Sequence, residues 1–156
     1  MRSLGLIALG AALAACGGSP CGPSSAKVSR VVDGDTIELE NGTKIRYLLV
    51  NAPETTNGHN DCYGAQAAAR NAELVEGKTV ELTYDTQCTD RYGRTLAYVK
   101  ADGVEVNSTL LNEGLACVLY VKPDGMSRVM EFQDLEVVAK TNRVGLWGAC
   151  SVVTCE

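Results

Sequence analysis

Thr36-Ile37-Glu38-Leu39-Glu40-Asn41-Gly42-Thr43-Lys44-Ile45-Arg46-Tyr47-Leu48-Leu49-Val50 is the stretch whose reading decides the fold. Two strand-like runs, 36–40 and 43–50, flank Asn41-Gly42, and an Asn-Gly pair between such runs is the strongest short hairpin signal. Closed as a two-residue turn, this hairpin sets Glu40 opposite Thr43 and Asp35 opposite Leu48. Opposed residues share a face, so Asp35 and Arg46 are expected as diagonal neighbours roughly 7–8 Å apart. Further strands are predicted over 27–32, 79–84, 94–100, 104–106 and 115–121. The alanine-rich run 63–75 reads as a helix stopped at Gly77. Asn107 can cap a helix reaching about 113, with Gly114 as its stop. Residues 127–140 read as the last helix, with apolar positions at Val129, Met130, Phe132, Leu135, Val137 and Val138. The class is α+β, mainly β: a barrel of about five strands with two to three helices, for which an OB-fold is the expected architecture.

The flanks of this region read differently. Of 156 residues, Met1-Arg2 and the apolar run from Leu4 to Ala15 describe a secretory signal too short to span a bilayer. Leu13-Ala14-Ala15-Cys16 also resembles a bacterial lipobox, which makes Cys16 the expected lipidation site and membrane anchor. We therefore expect a signal over 1–15, a flexible Gly/Ser/Pro tether over 16–26, the folded domain over 27–150 and a tail over 151–156. The expected location is the cell envelope, at the outer membrane or cell surface, because Gly17 replaces the aspartate that often retains lipoproteins at an inner membrane.

Six further cysteines (Cys21, Cys62, Cys88, Cys117, Cys150 and Cys155) form an even set, which in an exported chain suggests disulfides. The expected pairs are Cys62 with Cys88 and Cys117 with Cys150, leaving Cys21 and Cys155. Zinc is disfavoured: no CxxC pair occurs, and the single histidine, His59, stands in a polar loop away from ligand spacing. The formal charge of −5 excludes a broadly basic nucleic-acid groove, so any attraction for phosphate must be local.

Chemistry concentrates in three places. Val31-Val32-Asp33-Gly34-Asp35-Thr36 opens the hairpin, and Arg46 to Thr55, with Asn51-Ala52-Pro53-Glu54, closes it. Pro53 ends strand pairing and leaves Glu54 in a loop. The third place, 89–98, is a turn carrying Arg91, Tyr92 and Arg94 into a strand. Singly, these are ordinary turn and strand-end sequences. Together they bring a carboxylate for a hard cation, a free carboxylate and two arginines to one small barrel, which is equipment for phosphodiester hydrolysis.

From about residue 27 to Trp147 the chain resembles the staphylococcal nuclease family. The matching motifs are Val32-Asp33-Gly34-Asp35-Thr36, Arg46-x-Leu48-Leu49-Val50-x-x-Pro53-Glu54-Thr55, and Tyr92-Gly93-Arg94-x-Leu96-Ala97-Tyr98. Asp102-Gly103-x-x-Val106-Asn107, Leu111-x-x-Gly114-Leu115-Ala116 and Lys122-Pro123 extend them. The resemblance implies a five-stranded OB-fold barrel and a calcium-dependent endonuclease of DNA and RNA with 3′-phosphate ends as products; single strands are the expected substrate and a monomer is the default. It implies that Glu54 is the general base and that Arg46 and Arg94 hold the phosphate. Asp35 would bind calcium, with Asn51 and the main-chain carbonyl of Ala52 as further ligands. Tyr92 and Tyr120 match positions that contact nucleotide, and Arg91 beside Tyr92 is a further candidate for substrate binding.

One position departs from the family. The second calcium carboxylate is usually aspartate, and here it is Asn51; the lost charge implies weaker calcium binding, in the millimolar class. The loop after Glu54 is also shorter and carries Cys62. The competing readings are an OB-fold binding module that has lost catalysis and a structural envelope lipoprotein. Glu54, Arg46, Arg94 and Asp35 all being in place favours the enzyme.

Overall fold

The computed structural model describes residues 19–155. Cys16 and the expected signal lie outside the described residues. Strand β1 (Ser25–Val31) pairs antiparallel with β2 (Thr36–Leu39), and β2 with β3 (Lys44–Tyr47). β3 then runs parallel to β6 (Thr95–Ala101), β6 pairs with β5 (Thr79–Thr83), and β5 returns to β1. These pairings close a five-stranded barrel, as the pattern predicts; closure removes the exposed edges an open sheet would carry. A second small ladder joins β4 (Leu49–Asn51) to β8 (Cys117–Leu119), and β7 (Val104–Glu105) extends β6.

Three helices cover the barrel, α1 (Gly64–Val75), α2 (Val106–Asn112) and α3 (Val129–Thr141), followed by the single turn α4 (Leu146–Ala149). In α1, Ala67, Asn71 and Val75 recur every fourth residue and are the face it buries. Alternation does the same for β5, where Val80 and Leu82 point inward between exposed threonines and Glu81. The core is one cluster that includes Val28, Ile37, Ile45, Tyr47, Val99, Leu110, Leu111 and Phe132.

The hairpin register differs by one residue from the expected one. Thr36 faces Arg46 and Ile37 faces Ile45, because the connection is the three-residue loop Glu40, Asn41, Gly42. The Leu39 amide donates to the Thr43 carbonyl at 2.9 Å. A two-residue Asn-Gly turn needs positive φ at both residues; here only Gly42 has it, at 83°, and Asn41 instead accepts the Thr43 amide on its side chain.

The expected single strand over 43–50 is also broken at Leu48, whose amide bonds the Ala97 carbonyl while Leu49 takes φ 61°. Asn107 accounts for this break. It does not cap α2, which begins a residue earlier at Val106. Its fully buried carboxamide accepts the Val99 amide (2.8 Å) and donates to the carbonyls of Leu48 (3.0 Å) and Ala97 (3.3 Å).

The disulfides are Cys21–Cys88, Cys62–Cys150 and Cys117–Cys155, which corrects both expected pairs. Antiparallel pairing of β1 with β5 explains the first. Ser25 faces Glu81, the Leu82 amide reaches the Ser24 carbonyl, and the chain running back from there brings Cys21 beside Cys88. Cys62 precedes α1, where Tyr63 packs on the cluster of Cys117, Leu146 and Cys155, so its neighbour is the end of α4 rather than the turn before Arg94. Residues 21–26 of the expected tether are thereby tied to the barrel by Cys21–Cys88 and by the start of β1.

Candidate active site

The Asp33-Gly34-Asp35 loop joins β1 to β2 and lies against both the end of β4 and α1. A Cβ at Gly34 would stand 2.5 Å from the Ala52 methyl and 2.8 Å from that of Ala67, so only glycine permits the approach. Asn71 of α1 braces the loop from behind, donating to the Asp33 carbonyl at 3.0 Å while accepting the buried Tyr47 hydroxyl at 2.8 Å. Asp35 is buried, and its carboxylate accepts the Ala52 amide (2.7 Å) and the Thr36 hydroxyl (3.0 Å). Its Oδ1 also lies 3.1 Å from Arg46 Nε, a direct ion pair in place of the looser separation expected. Burial, and then the charge of Asp35, pushes the Asp33 carboxyl up to about 6.

Arg46 enters from β3 and is buried in a nearly complete set of acceptors. Nη1 donates to the carbonyls of Tyr47 and Val50, and Nη2 donates to Asn51 Oδ1 at 2.9 Å. With Nε on Asp35, one Nη2 hydrogen is left for an incoming group. Asn51, at the end of β4, donates from Nδ2 to the Cys155 carbonyl at 2.9 Å. The loop beyond it carries Glu54, whose Oε1 accepts the amides of Thr55 (2.9 Å) and Thr56 (2.7 Å) and the Thr56 hydroxyl (2.7 Å). Burial opposes ionisation of Glu54, but these bonds outweigh it and hold the group below the ordinary carboxylate range. This loop also needs a glycine beside it: a Cβ at Gly64 would meet Thr55 Cγ2 at 2.6 Å.

Arg94 closes the far side. Asp90 and Gly93 make the turn before β6; Asp90 Oδ1 accepts the amides of Tyr92 and Arg94, and its Oδ2 takes Arg94 Nε at 2.7 Å. The guanidinium is thus aimed by a carboxylate that lies outside the polar cavity. That cavity, of about 130 Å³, is lined by Asp33, Asp35, Arg46, Asn51, Ala52, Pro53, Glu54 and Arg94. A larger cleft of about 560 Å³ adjoins it and shares Arg46 and Arg94. Its walls carry Arg91, Tyr92 and the apolar side chains of Leu49, Leu96, Leu119 and Val121. Arg91 lies 4.8 Å from the exposed Tyr92 ring and Arg94 5.5 Å.

The structure therefore brings together Asp35, Arg46, Asn51, Ala52, Glu54 and Arg94, and sets Arg91 and Tyr92 next to them. Tyr120 is not on either wall; its neighbours Leu119 and Val121 are, and Tyr120 packs toward the core instead. Asp33 lines the polar cavity but was not assigned from sequence, although the Asp-Gly-Asp spacing carried the signal. Asp33, Asp35, Asn51 and Ala52 line the cavity together and could offer only oxygen ligands to a cation, which would suit a hard cation and not zinc. Among the described residues no group of three His, Cys, Asp or Glu stands at metal-binding distance, so a cation here would lean on neutral oxygens as well.

Residues 44–149 match the family described as Staphylococcal nuclease homologue, a span that takes in Arg46, Asn51, Glu54 and Arg94. The chain belongs to the staphylococcal nuclease family. It is 42% identical over 134 residues to Endonuclease YncB of Bacillus subtilis (strain 168), covering 81% of this chain and 63% of that protein. It is 41% identical over 134 residues to the SPbeta prophage-derived endonuclease YokF of the same organism, covering 81% and 45% respectively. To the Thermonuclease of Staphylococcus hyicus it is 39% identical over 103 residues, 63% of this chain and 61% of that one. In each case the chain spans less than two thirds of the relative's length. Asp33 and Asp35 precede the family match and rest on the geometry above.

Proposed function

We propose that this chain is a calcium-dependent endonuclease that hydrolyses phosphodiester bonds of single-stranded DNA and RNA, leaving 3′-phosphate ends. The observation that carries it is one polar cavity walled by Glu54, by Arg46 and Arg94, and by the oxygen set of Asp33, Asp35, Asn51 and Ala52. Two relatives named endonuclease and one named thermonuclease support the same activity.

Calcium held by Asp35, Asn51 Oδ1 and the Ala52 carbonyl would stabilise charge on the reacting phosphate as a Lewis acid. Glu54 stays ionised at neutral pH and has Oε1 fixed by three donors, so Oε2 is the oxygen that accepts the proton of the attacking water. Arg46 contributes its remaining Nη2 hydrogen to a phosphate oxygen. Arg94 presents Nη1, its Nε and Nη2 gripping Asp90, to the phosphate and the leaving oxygen. Bases extend into the adjoining cleft, where Tyr92 offers a ring face and the apolar wall tolerates any sequence. The signal-like run over 1–15 and the lipobox-like Leu13-Ala14-Ala15-Cys16 support an envelope lipoprotein at the outer membrane or cell surface, which we take to be a monomer. The three paired disulfides fit an oxidising compartment.

Oxidised protein incubated with end-labelled single strands across calcium concentrations tests this, with Glu54→Gln beside it. We expect cleavage rising between micromolar and millimolar calcium and falling by about 10²–10⁴-fold in the variant. Retained single-strand binding without cleavage at any calcium level would replace the enzyme with a binding module.

A further inference from the structure

The Asn51 side chain is held at both ends. Its oxygen faces Arg46 Nη2, which can only donate, and its Nδ2 faces the Cys155 carbonyl, which can only accept. The two partners admit one orientation of the amide, with the oxygen toward Arg46 and the polar cavity. A carboxylate could not satisfy both, because it would set an oxygen against the Cys155 carbonyl.

The reach of Cys155 to this point follows from the ladder. Asn51 faces Cys117 across β4 and β8, and Cys117 is the disulfide partner of Cys155. Cys155 is buried there, beside Leu146. The same tail touches the second chemical loop as well: Thr154 donates to Asp61 Oδ2 (3.0 Å), the atom that accepts the Glu54 amide (3.2 Å). The Cys62–Cys150 bridge anchors the other end of the tail.

We propose that the Cys155 main-chain carbonyl, tied down by the Cys117–Cys155 disulfide, is a positioning group of the active site that fixes the Asn51 amide oxygen toward Arg46 and the cavity. Its catalytic consequence rests on the nuclease reading above; the physical coupling between the tail and Asn51 does not. With the tail in place, an amide is the side chain that fits at position 51. With the tail released, that requirement disappears, and a carboxylate there costs nothing against the tail.

A double-mutant cycle tests the coupling, with the parent, Asn51→Asp, Cys117→Ala/Cys155→Ala and the triple variant unfolded in urea without calcium. We expect Asn51→Asp to lower the folded-to-unfolded ratio about tenfold more in the parent than in the background lacking the disulfide. Equal effects in both backgrounds would overturn the proposal. Cleavage kinetics of the same four proteins, taken where each is folded by circular dichroism, add a readout that lost stability alone would not move. Releasing the tail should lower kcat with KM little changed. An unchanged kcat would overturn the positioning role. Should no protein in the set, the parent included, cleave nucleic acid, the nuclease reading fails while the urea cycle still decides the coupling. If the cysteine variant does not fold, hydrogen exchange of the Asn51 side-chain amide in the oxidised parent decides instead. Protection is expected, and exchange at the rate of a free amide would overturn the proposal.

Discussion

Replacing Asn107 by alanine should be among the most destabilising single changes in this barrel, although the residue touches no substrate and lies outside both cavities. Its fully buried carboxamide holds the break between β3 and β4 through the Leu48 carbonyl, and it also holds β6 through the Val99 amide and Ala97 carbonyl. Ala97 O keeps a partner in the Leu48 amide, so the variant strands two main-chain groups, the Val99 N–H and the Leu48 C=O. Each stranded buried group costs about 1–3 kcal/mol, so a loss of about 2–6 kcal/mol is expected. That is a large share of the roughly 5–15 kcal/mol that holds a domain together, and corresponds to about 5–25 °C in Tm for a chain of this size.

Urea unfolding with an unchanged m-value is the assay. Asn107→Asp adds a second reading. The ionised carboxylate can still accept the Val99 amide but faces two carbonyl oxygens, so its folded pKa is raised. Protonation restores the donor, and the penalty at pH 7 should shrink as pH falls toward 4. A loss below about 1 kcal/mol for the alanine variant, or a pH-independent aspartate variant, would refute the clamp.

Gly34→Ala forces a methyl onto those of Ala52 and Ala67 and should cost about 1–3 kcal/mol, with a larger proportional loss of cleavage because Asp33 and Asp35 move with the loop. Tyr92→Ala should weaken single-strand binding, measured by fluorescence anisotropy, by about 1–3 kcal/mol, since its exposed ring is the aromatic face on the cleft wall. Glu105 is raised by burial but lowered further by its bonds to Arg128, leaving it below its ordinary value of 4.5, so its stabilisation is present above that pH and lost as acid carries the pH down through the folded value. Glu105→Gln should therefore cost about 1–2 kcal/mol at pH 7, and progressively less in thermal melts as the pH is taken down through the folded value.

Element type was legible wherever a side-chain period ran unbroken, as in α1 and β5, and the site was legible because its chemistry lies in short contiguous motifs. What stayed hidden depended on groups far apart in the chain. Asn107 has the composition of a cap, and nothing local says that its carboxamide is spent on Leu48, 59 residues away. The hairpin register turned on whether Asn41 would adopt positive φ, a difference of one residue that the Asn-Gly signal does not resolve. Cysteine pairing depended on the pairing of β1 with β5 and on where α4 lands, so six equivalent cysteines gave no handle on it. Tyr120 looked like a nucleotide contact by motif, yet it lies just past the end of β8 and packs toward the core, while its two neighbours Leu119 and Val121 line the cleft wall.

The acidic balance of the chain now has a local explanation. Around the polar cavity stand three carboxyl groups, Asp33, Asp35 and Glu54, against two guanidinium groups. Neither arginine is idle: Arg46 is paired with Asp35, and Arg94 with Asp90 outside the cavity wall. A phosphodiester approaching this arrangement alone would meet acids in excess and arginines already paired, which argues against tight unaided binding. On the calcium reading, a divalent charge beside Asp33 and Asp35 reverses that local sign, so cation and phosphate neutralise the cavity together. The affinity for substrate then depends on an ion supplied by the medium and not on a basic surface. A net charge of −5 is compatible with acting on nucleic acid for that reason, because at a site this small the nearest few charges outweigh the rest of the molecule once salt screens everything beyond about 10 Å.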